Sequence, residues 1–582
     1  MYKKHKLFLL LFALILISTT VSAIEGSLKL LAVAESENGF TGKIANLNLE
    51  IIKGKGRVFL DTFPLTKFDT QISTRFAKQI SCDFLEVDCS GYDFIYTINS
   101  DSGIIGGPSA GAATAVLTTA LLKGLKLNPK IAMTGTINSG GLIGPVSGLF
   151  KKIEAAGTNG ITIVLIPRGT RYVNINEAAG EEIGDLFNKT EIDLVEFGAK
   201  NGITVVEISK LSEAMEYFTG QPFIDEQGIL TINSDYLVTM KGLANKLCAR
   251  SQTLKSEISS GALEASLEQN INEADELLKK SNAELKEEKY YSAASRCFAA
   301  NIKYAYVKKI LKAEEREDLI QQASILLNKI NQSELDLKEK KLATIMDLQA
   351  YMVVKERLEE AKLLAKKVTE SGSEFDYAYA IERFESAIAW SEFFGKMGRT
   401  YKLEESTLKD SCRKKISEAE ERIQYVGFYI PDSLETVKEG LAKANEYALD
   451  KEYVLCLFKA SKTKAEADSL YTMLNVPEDK IKEIIQAKLE IAKNSIIKES
   501  KSGSFPILAY SYYEYTQQLV DENSYSALLY SQYALELSNL QMYFNQKRNI
   551  LTLVLDSDYA ALTLFLGLAI GILLGYYYRS KP

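Results

Sequence analysis

One histidine, His5, occurs in the 582 residues, and it lies in an N-terminal stretch expected to be cleaved off. A mature chain without histidine excludes Ser-His-Asp and Cys-His catalysis and every histidine-ligated metal site. The chain also lacks a basic block or stripe: 69 basic residues stand against 76 acidic ones, a formal charge of -7. The electrostatic footprint that holds phosphate backbones is therefore missing, and nucleic acid is not an expected partner. No G-x-x-x-x-G-K-[ST] segment is present, so a phosphate loop is excluded as well. What remains is a chain 46% apolar and 25% charged, the balance of a protein with buried cores, and long enough for two or more domains.

The two ends carry long apolar runs. MYKKHKLFLLLFALILISTTVSA places Lys3, Lys4 and Lys6 before an apolar run and closes on Val21-Ser22-Ala23, the pattern of a secretory signal peptide over residues 1–23. An uncleaved anchor is the alternative. YAALTLFLGLAIGILLGYYY, residues 559–578, is uncharged over about 20 residues, the length that crosses a hydrocarbon core. Tyr559 and Tyr576-Tyr577-Tyr578 would sit at the two interfaces, with Asp556 and Asp558 outside one end and Arg579 and Lys581 beyond the other. The basic end belongs in the cytoplasm, so the expectation is a single-pass transmembrane helix that leaves everything between on the extracytoplasmic side of the cell membrane.

Six cysteines fit an oxidising compartment. Cys82 and Cys89 flank the short segment CDFLEVDC and could close a small loop. Cys248, Cys297, Cys412 and Cys456 are scattered; sequence leaves their pairing open, and buried unpaired thiols are an equal reading.

Between the termini the texture changes once. Residues 26–221 alternate strand-like segments (28–34, 43–52, 57–60, 92–99, 130–134, 162–166, 204–207) with helical patterns (69–80, 109–122, 148–156, 211–217), which predicts an α+β domain. Pro222 and the turn over 225–228 mark its end. Residues 236–550 carry long helical periodicity and a degenerate unit: KYYSAASRCFAA, DYAYAIERFESAIA, EYVLCLFKASKTKA and SYSALLYSQYALEL. Stacked helix hairpins of a tetratricopeptide-like array would repeat in this way; a plain helical domain is the alternative.

The segment GGPSAGAATA places Ser109 after a proline at the start of an apolar helix. It can be a helix cap or a nucleophile, and these are compatible: a helix N-terminus offers N–H groups and a positive dipole end to an oxyanion. Without histidine, the base for such a serine must be lysine or a carboxylate. In VSGLFKKIEAAG the helical register puts Gly148, Leu149, Ala155 and Ala156 one turn from Lys152, and Ser147 and Glu154 beside Lys151. Lys152 is thus the lysine expected on the apolar face, where burial disfavours the charged amine and fits it to accept a serine proton. Lys151 is expected to be a solvated partner of Glu154.

These residues carry a resemblance. GGPSAGAATAVLTTALLKG, then IAMTGTI, then GPVSGLFKKIEAAGTNGITIVLIPRG, with the tail VVEISKLSEAMEYFTG, resemble the serine and lysine blocks of the Lon proteolytic domain, peptidase family S16. The resemblance implies Ser109 as nucleophile, Lys152 as base and Thr134 as the residue orienting the lysine amine. It departs from the family at Gly106, where many members carry an acidic residue, and at Thr136, where a glutamate often stands. The ATPase module is absent from the pattern, and the combination of segments resembles archaeal membrane-anchored Lon-like proteins.

The expectation is therefore an ATP-independent serine endopeptidase with no cofactor or metal, held to the membrane by its C-terminal helix. Its expected partners are unfolded or flexible polypeptide segments, and a homo-oligomer is implied by resemblance alone. The rival reading is a catalytically inactive protease-like domain, with the helical part as a scaffold for protein–protein interaction at the membrane.

Overall fold

The computed structural model describes residues 24–36, 39–63, 65–100, 106–174, 191–223, 228–258, 263–313, 315–427, 430–431, 434–544, 549–550, 567–568 and 571. They fall into two compact units, one running up to Phe223 and taking in the segment after Asn545, the other spanning Ile224–Asn545.

The first unit is built on a seven-stranded mixed sheet. Its strands are β1 (Ile24–Ser36), β2 (Gly39–Lys53), β3 (Val58–Phe63), β5 (Tyr92–Ser100), β6 (Ile131–Met133), β9 (Ile163–Pro167) and β12 (Thr204–Ile208), in the order β12-β9-β6-β1-β2-β5-β3. β1, β2 and β5 pair antiparallel; β6, β9 and β12 follow β1 in parallel, and β3 is parallel to β5 at the far edge. The period of two is visible in the sequence itself: Ala45, Leu47, Leu49 and Ile51 are buried while Asn46 and Glu50 alternate outward. In register, Leu49 lies opposite Tyr96 and Ile51 opposite Phe94.

Alternation along β1 assigns the helices to opposite faces. A side chain at Gly26 would meet Leu121 of α2 (Gly111–Lys123), and the even-numbered Leu28 and Leu30 share that face with the α2 side. Tyr96 reaches the same layer, its hydroxyl 2.8 Å from Thr118 Oγ1. Leu31 instead packs with Leu149, Ile153 and Ala156 of α3 (Leu149–Thr158) on the other face. α1 (Phe68–Phe84) and α5 (Leu211–Thr219) pack on α2, while α4 (Leu194–Lys200) lies with α3. α2 is buried from Gly111 to Leu122, as a helix without a polar face must be.

Each strand and helix expected in this region is present. Short elements escaped the sequence because two or three residues carry no period: β4 (Val87–Asp88), the β7 (Thr136–Ile137) and β8 (Ile143–Gly144) hairpin, and β10 (Tyr172–Asn174) with β11 (Glu191–Asp193). Ser109 does not open α2: Pro108–Ala110 form a 3-10 turn, and α2 follows from Gly111.

The second unit is helical throughout: α6 (Ser234–Ser256), α7 (Ala265–Lys286), α8 (Tyr290–Lys312), α9 (Arg316–Lys338), α10 (Ile345–Ser371), α11 (Glu374–Trp390), α12 (Glu405–Gly427), α13 (Glu435–Leu449), α14 (Tyr453–Asn475), α15 (Ile481–Lys501), α16 (Ile507–Leu519) and α17 (Ser524–Ser538). The four copies of the degenerate unit fall on α8, α11, α14 and α17. They therefore mark every third helix, whereas stacked hairpins would mark every second. A buried ion network that periodicity could not announce ties α12, α14 and α17: Glu536 accepts from Lys415 at 2.7 Å and Lys464 at 2.6 Å, and Asp468 accepts from Lys464 at 3.0 Å. Such partners offset the cost of burying a charged carboxylate.

All six cysteines are paired, Cys82 with Cys89, Cys248 with Cys297 and Cys412 with Cys456, so no described thiol is free. The second bridge joins α6 to α8 and the third α12 to α14. After the helical unit the chain returns: β13 (Asn549–Ile550) pairs in parallel with β4, so the helical unit stops short of the expected boundary at 550. The segment expected to be a signal, residues 1–23, lies outside the described residues, as does the stretch 559–578 apart from 567, 568 and 571. Among the described residues no helix is long and apolar enough to cross a membrane.

Candidate active site

Ser109 and Lys152 come from opposite faces of the sheet and approach the same strand end. β5 leads toward the turn that carries Ser109, and α3 carries Lys152; between them β6 ends at Met133 and continues as Thr134-Gly135. The turn is pinned by its backbone: Gly135 N donates to the Ser109 carbonyl at 3.0 Å, and Ala112 N donates to the Gly135 carbonyl at 3.1 Å. Thr134 Oγ1 adds a longer bond to the same Ser109 carbonyl at 3.4 Å. Lys152 Nζ, from the other side, donates to Thr134 Oγ1 at 3.1 Å. Thr134 thus uses its one proton toward the serine segment and a lone pair toward the lysine, which is all a hydroxyl needs to link the two.

The two lysines separate as the helical register predicts. Lys152 is 4% exposed, its backbone N bonded to the Gly148 carbonyl at 3.1 Å, and its helix neighbours Leu149, Ala155 and Ala156 are buried. Lys151 is half-buried, pairs with Glu154 at 3.2 Å and lies over the Phe150 ring. α3 comes close to the sheet because β2 offers a glycine there: a Cβ on Gly42 would fall 1.9 Å from the Lys151 carbonyl oxygen and 2.9 Å from Ala155 Cβ. The helix could not lie where it does over any other residue. Gly148, the residue before α3, has φ +67°, the left-handed region in which glycine is at ease.

Ser109 itself is half-buried, more enclosed than an exposed helix cap. The positive end of α2 lies at its C-terminal side, where an anionic oxygen would be stabilised. Two further positions flank the site in sequence, Gly106 before Ser109 and Thr136 after Thr134. Gly106 is exposed, and a side chain there would collide with the Lys67 stem, 2.6 Å from Cδ. Thr136 is fully buried and accepts from Asn138 Nδ2 at 3.1 Å.

Sequence reasoning missed Gly42, Gly135 and Ala112. Gly135 had a signal, a glycine directly after a short strand and its threonine, and its φ of +156° leaves its backbone free to bridge Ser109 and Ala112. Gly42 had none, because its partner is 109 residues away in sequence and only the folded register of β1 and β2 brings it under α3.

Comparison with known proteins finds matches that include this part of the chain. Residues 100–192 match the Lon protease (S16) C-terminal proteolytic domain. The chain is 33% identical over 116 residues to a Lon protease of Clostridium beijerinckii, covering 20% of this chain and 14% of that protein. It is 36% identical over 92 residues to Lon protease 2 of Bacillus subtilis, covering 16% and 17%. With a Lon protease of Lachnoclostridium phytofermentans it shares 43% over 65 residues, or 11% and 8%. The chain therefore spans less than a fifth of the length of these relatives. Residues 100–192 are thus similar to a Lon protease (S16) C-terminal proteolytic domain.

Proposed function

We propose that the protein is a serine endopeptidase with a Ser109–Lys152 dyad, working without ATP on unfolded or flexible polypeptide segments at a membrane surface. The observation that carries the reading is the chain of bonds from Lys152 Nζ through Thr134 Oγ1 to the Ser109 carbonyl.

In this mechanism the neutral Lys152 amine takes the Ser109 hydroxyl proton as Oγ attacks the scissile carbonyl. The resulting oxyanion is stabilised by the positive end of α2. The lysine then returns the proton to the leaving amine, and an acyl-serine remains. A water, deprotonated by the same amine, attacks the acyl group and restores Ser109. Lys152 is buried and its amine is held by Thr134, which keeps it beside the serine segment. Thr134 fixes the amine's position, so that the lone pair points where the serine proton leaves.

The cellular setting belongs to the same reading: an exported chain held by residues 559–578, with both units on the extracytoplasmic side. Three disulfides across the described residues support an oxidising compartment. Digestion of casein by the purified ectodomain, with and without ATP and with Ser109→Ala as control, tests the activity. Loss in the control and indifference to ATP are expected; cleavage by the Ser109→Ala protein would overturn the assignment. Protease added outside intact cells should degrade residues 24–555 and spare a tag after Pro582.

A further inference from the structure

β3 ends the seven-stranded sheet, and among the described residues no strand covers its outer edge. The Arg57 carbonyl accepts from Phe94 N at 2.9 Å, toward β5. In a parallel pair the backbone groups alternate sides with a period of two. Those of Val58, Leu60 and Thr62 therefore face the open side. An uncovered row of donors and acceptors is ordinarily blunted by charge, proline or a bulge. Here the strand carries one exposed charge, Asp61, and the strand and the segment after it expose apolar side chains: Phe59 is 42% exposed, Phe63 75%, Leu65 77% and Phe68 48%. No other ten-residue stretch of the described residues exposes as many large apolar side chains.

This lip is continuous with the Ser109 turn. Phe63 lies in register with Asn99, next to the end of β5, from which the chain runs on to Ser109. Four residues beyond Phe63 comes Lys67, whose stem rests on Gly106, and Thr70 Oγ1 donates to the Gly107 carbonyl at 3.5 Å. The segment that follows the edge strand therefore touches the turn that leads into Ser109.

We propose that the open edge of β3 and the lip of Phe59, Phe63, Leu65 and Phe68 hold an extended apolar polypeptide as an added strand and guide it to Ser109. The proposal rests on the serine endopeptidase reading. Only another extended backbone matches a strand edge group for group, and a bare strand edge bordered by aromatic and leucine side chains selects segments that a folded protein keeps inside. The surface would therefore recognise unfoldedness, through exposed apolar side chains on an extended chain, with little demand on sequence.

The test separates docking from chemistry. In the full chain carrying Ser109→Ala, binding of fluorescein-labelled β-casein is followed by anisotropy, with and without Phe63→Ser/Leu65→Ser. At least tenfold weaker binding is expected, with affinity kept in Phe63→Leu/Leu65→Phe. In the Ser109 background, kcat on a short fluorogenic peptide should be unchanged by the Phe63→Ser/Leu65→Ser pair, while KM for casein rises. Unchanged casein affinity would overturn the proposal, as would a change in assembly size by sedimentation without a change in affinity, since the lip would then be an interface between copies. If lip-dependent casein binding is found but the wild-type chain cleaves nothing, the docking surface stands and the peptidase reading fails.

Discussion

Lys152 Nζ lies 3.1 Å from Thr134 Oγ1, a bond between a helix on one face of the sheet and the end of a strand within it. The hydroxyl holds one end of a long flexible side chain in a buried place, and it does so from a residue whose other bond is to the Ser109 segment.

Thr134→Val should therefore lower kcat/KM without unfolding the protein. A buried donor left without its acceptor costs about 1–3 kcal/mol, or roughly 5- to 150-fold in rate. Thr134→Ser should recover most of the loss, and the pH profile of kcat should shift in Thr134→Val and return in Thr134→Ser. An unchanged profile in both variants would reduce Thr134 to a packing role.

Lys152→Ala and Ser109→Ala should each abolish hydrolysis of casein, and the double variant should be no worse than either, because the two act as one unit. Lys152→Arg should fail too, since a guanidinium does not give up its proton near neutral pH. Lys151→Ala should cost a few tenths of a kcal/mol in stability, the usual value of an exposed helix pair, with activity kept. Activity in Lys152→Ala with inactivity in Lys151→Ala would mean a register displaced by one residue.

Gly42→Ala should impair activity from a distance. The added methyl would collide with backbone, the Lys151 carbonyl, so α3 must move and carry Lys152 with it. A displacement of the base by about 1 Å is enough to cost on the order of 100-fold in kcat. The check is kcat measured beside the melting temperature: a drop in both, with kcat lost well below the melting point, is the expected outcome.

How much of this was legible beforehand depends on the reach of each feature in sequence. The strands over 43–52 and 92–99 declared themselves through alternation, and the choice of Lys152 over Lys151 followed from neighbours one helical turn away, which is local information. The Gly42 contact, the Glu536 network and the pairing of Cys248 with Cys297 join residues far apart in the chain, and no local period encodes them. The β7–β8 hairpin was invisible for a different reason, since two-residue strands are too short to show a pattern.

Removing the Cys248–Cys297 bridge by a double serine substitution should destabilise the helical unit. The bridge spans 49 residues of sequence, and the loop-closure model assigns such a bridge about 4 kcal/mol. Denaturant melts of the variant beside the parent, and of the parent under reducing agent, check this; equal midpoints would contradict it.

Glu514 makes the stability of the helical unit depend on pH. The residue, on α16, is buried, and its carboxylate accepts from Ser292 N at 3.0 Å on α8. Burial pushes its pKa up from 4.5 to about 7, against the opposing Ser292 bonds. The folded state therefore favours the protonated carboxyl. Its contribution is fully present below pH 4.5 and is lost as the pH rises through about 7, a change of up to about 3 kcal/mol. Melts across pH 4 to 8 should show this decline, and Glu514→Gln should flatten it; an identical slope in the variant would rule Glu514 out.

The recurrence of the tyrosine-bearing unit on α8, α11, α14 and α17 bears on how such a chain can change length through evolution. A duplication or deletion that respects this cadence adds or removes a full set of three helices, a marked helix together with the two before it that pack on it. Any other cut strands an apolar face. Homologous chains should then differ in the extent of this region by whole triplets, and their repeat counts, more than their local sequences, should record the history of the array.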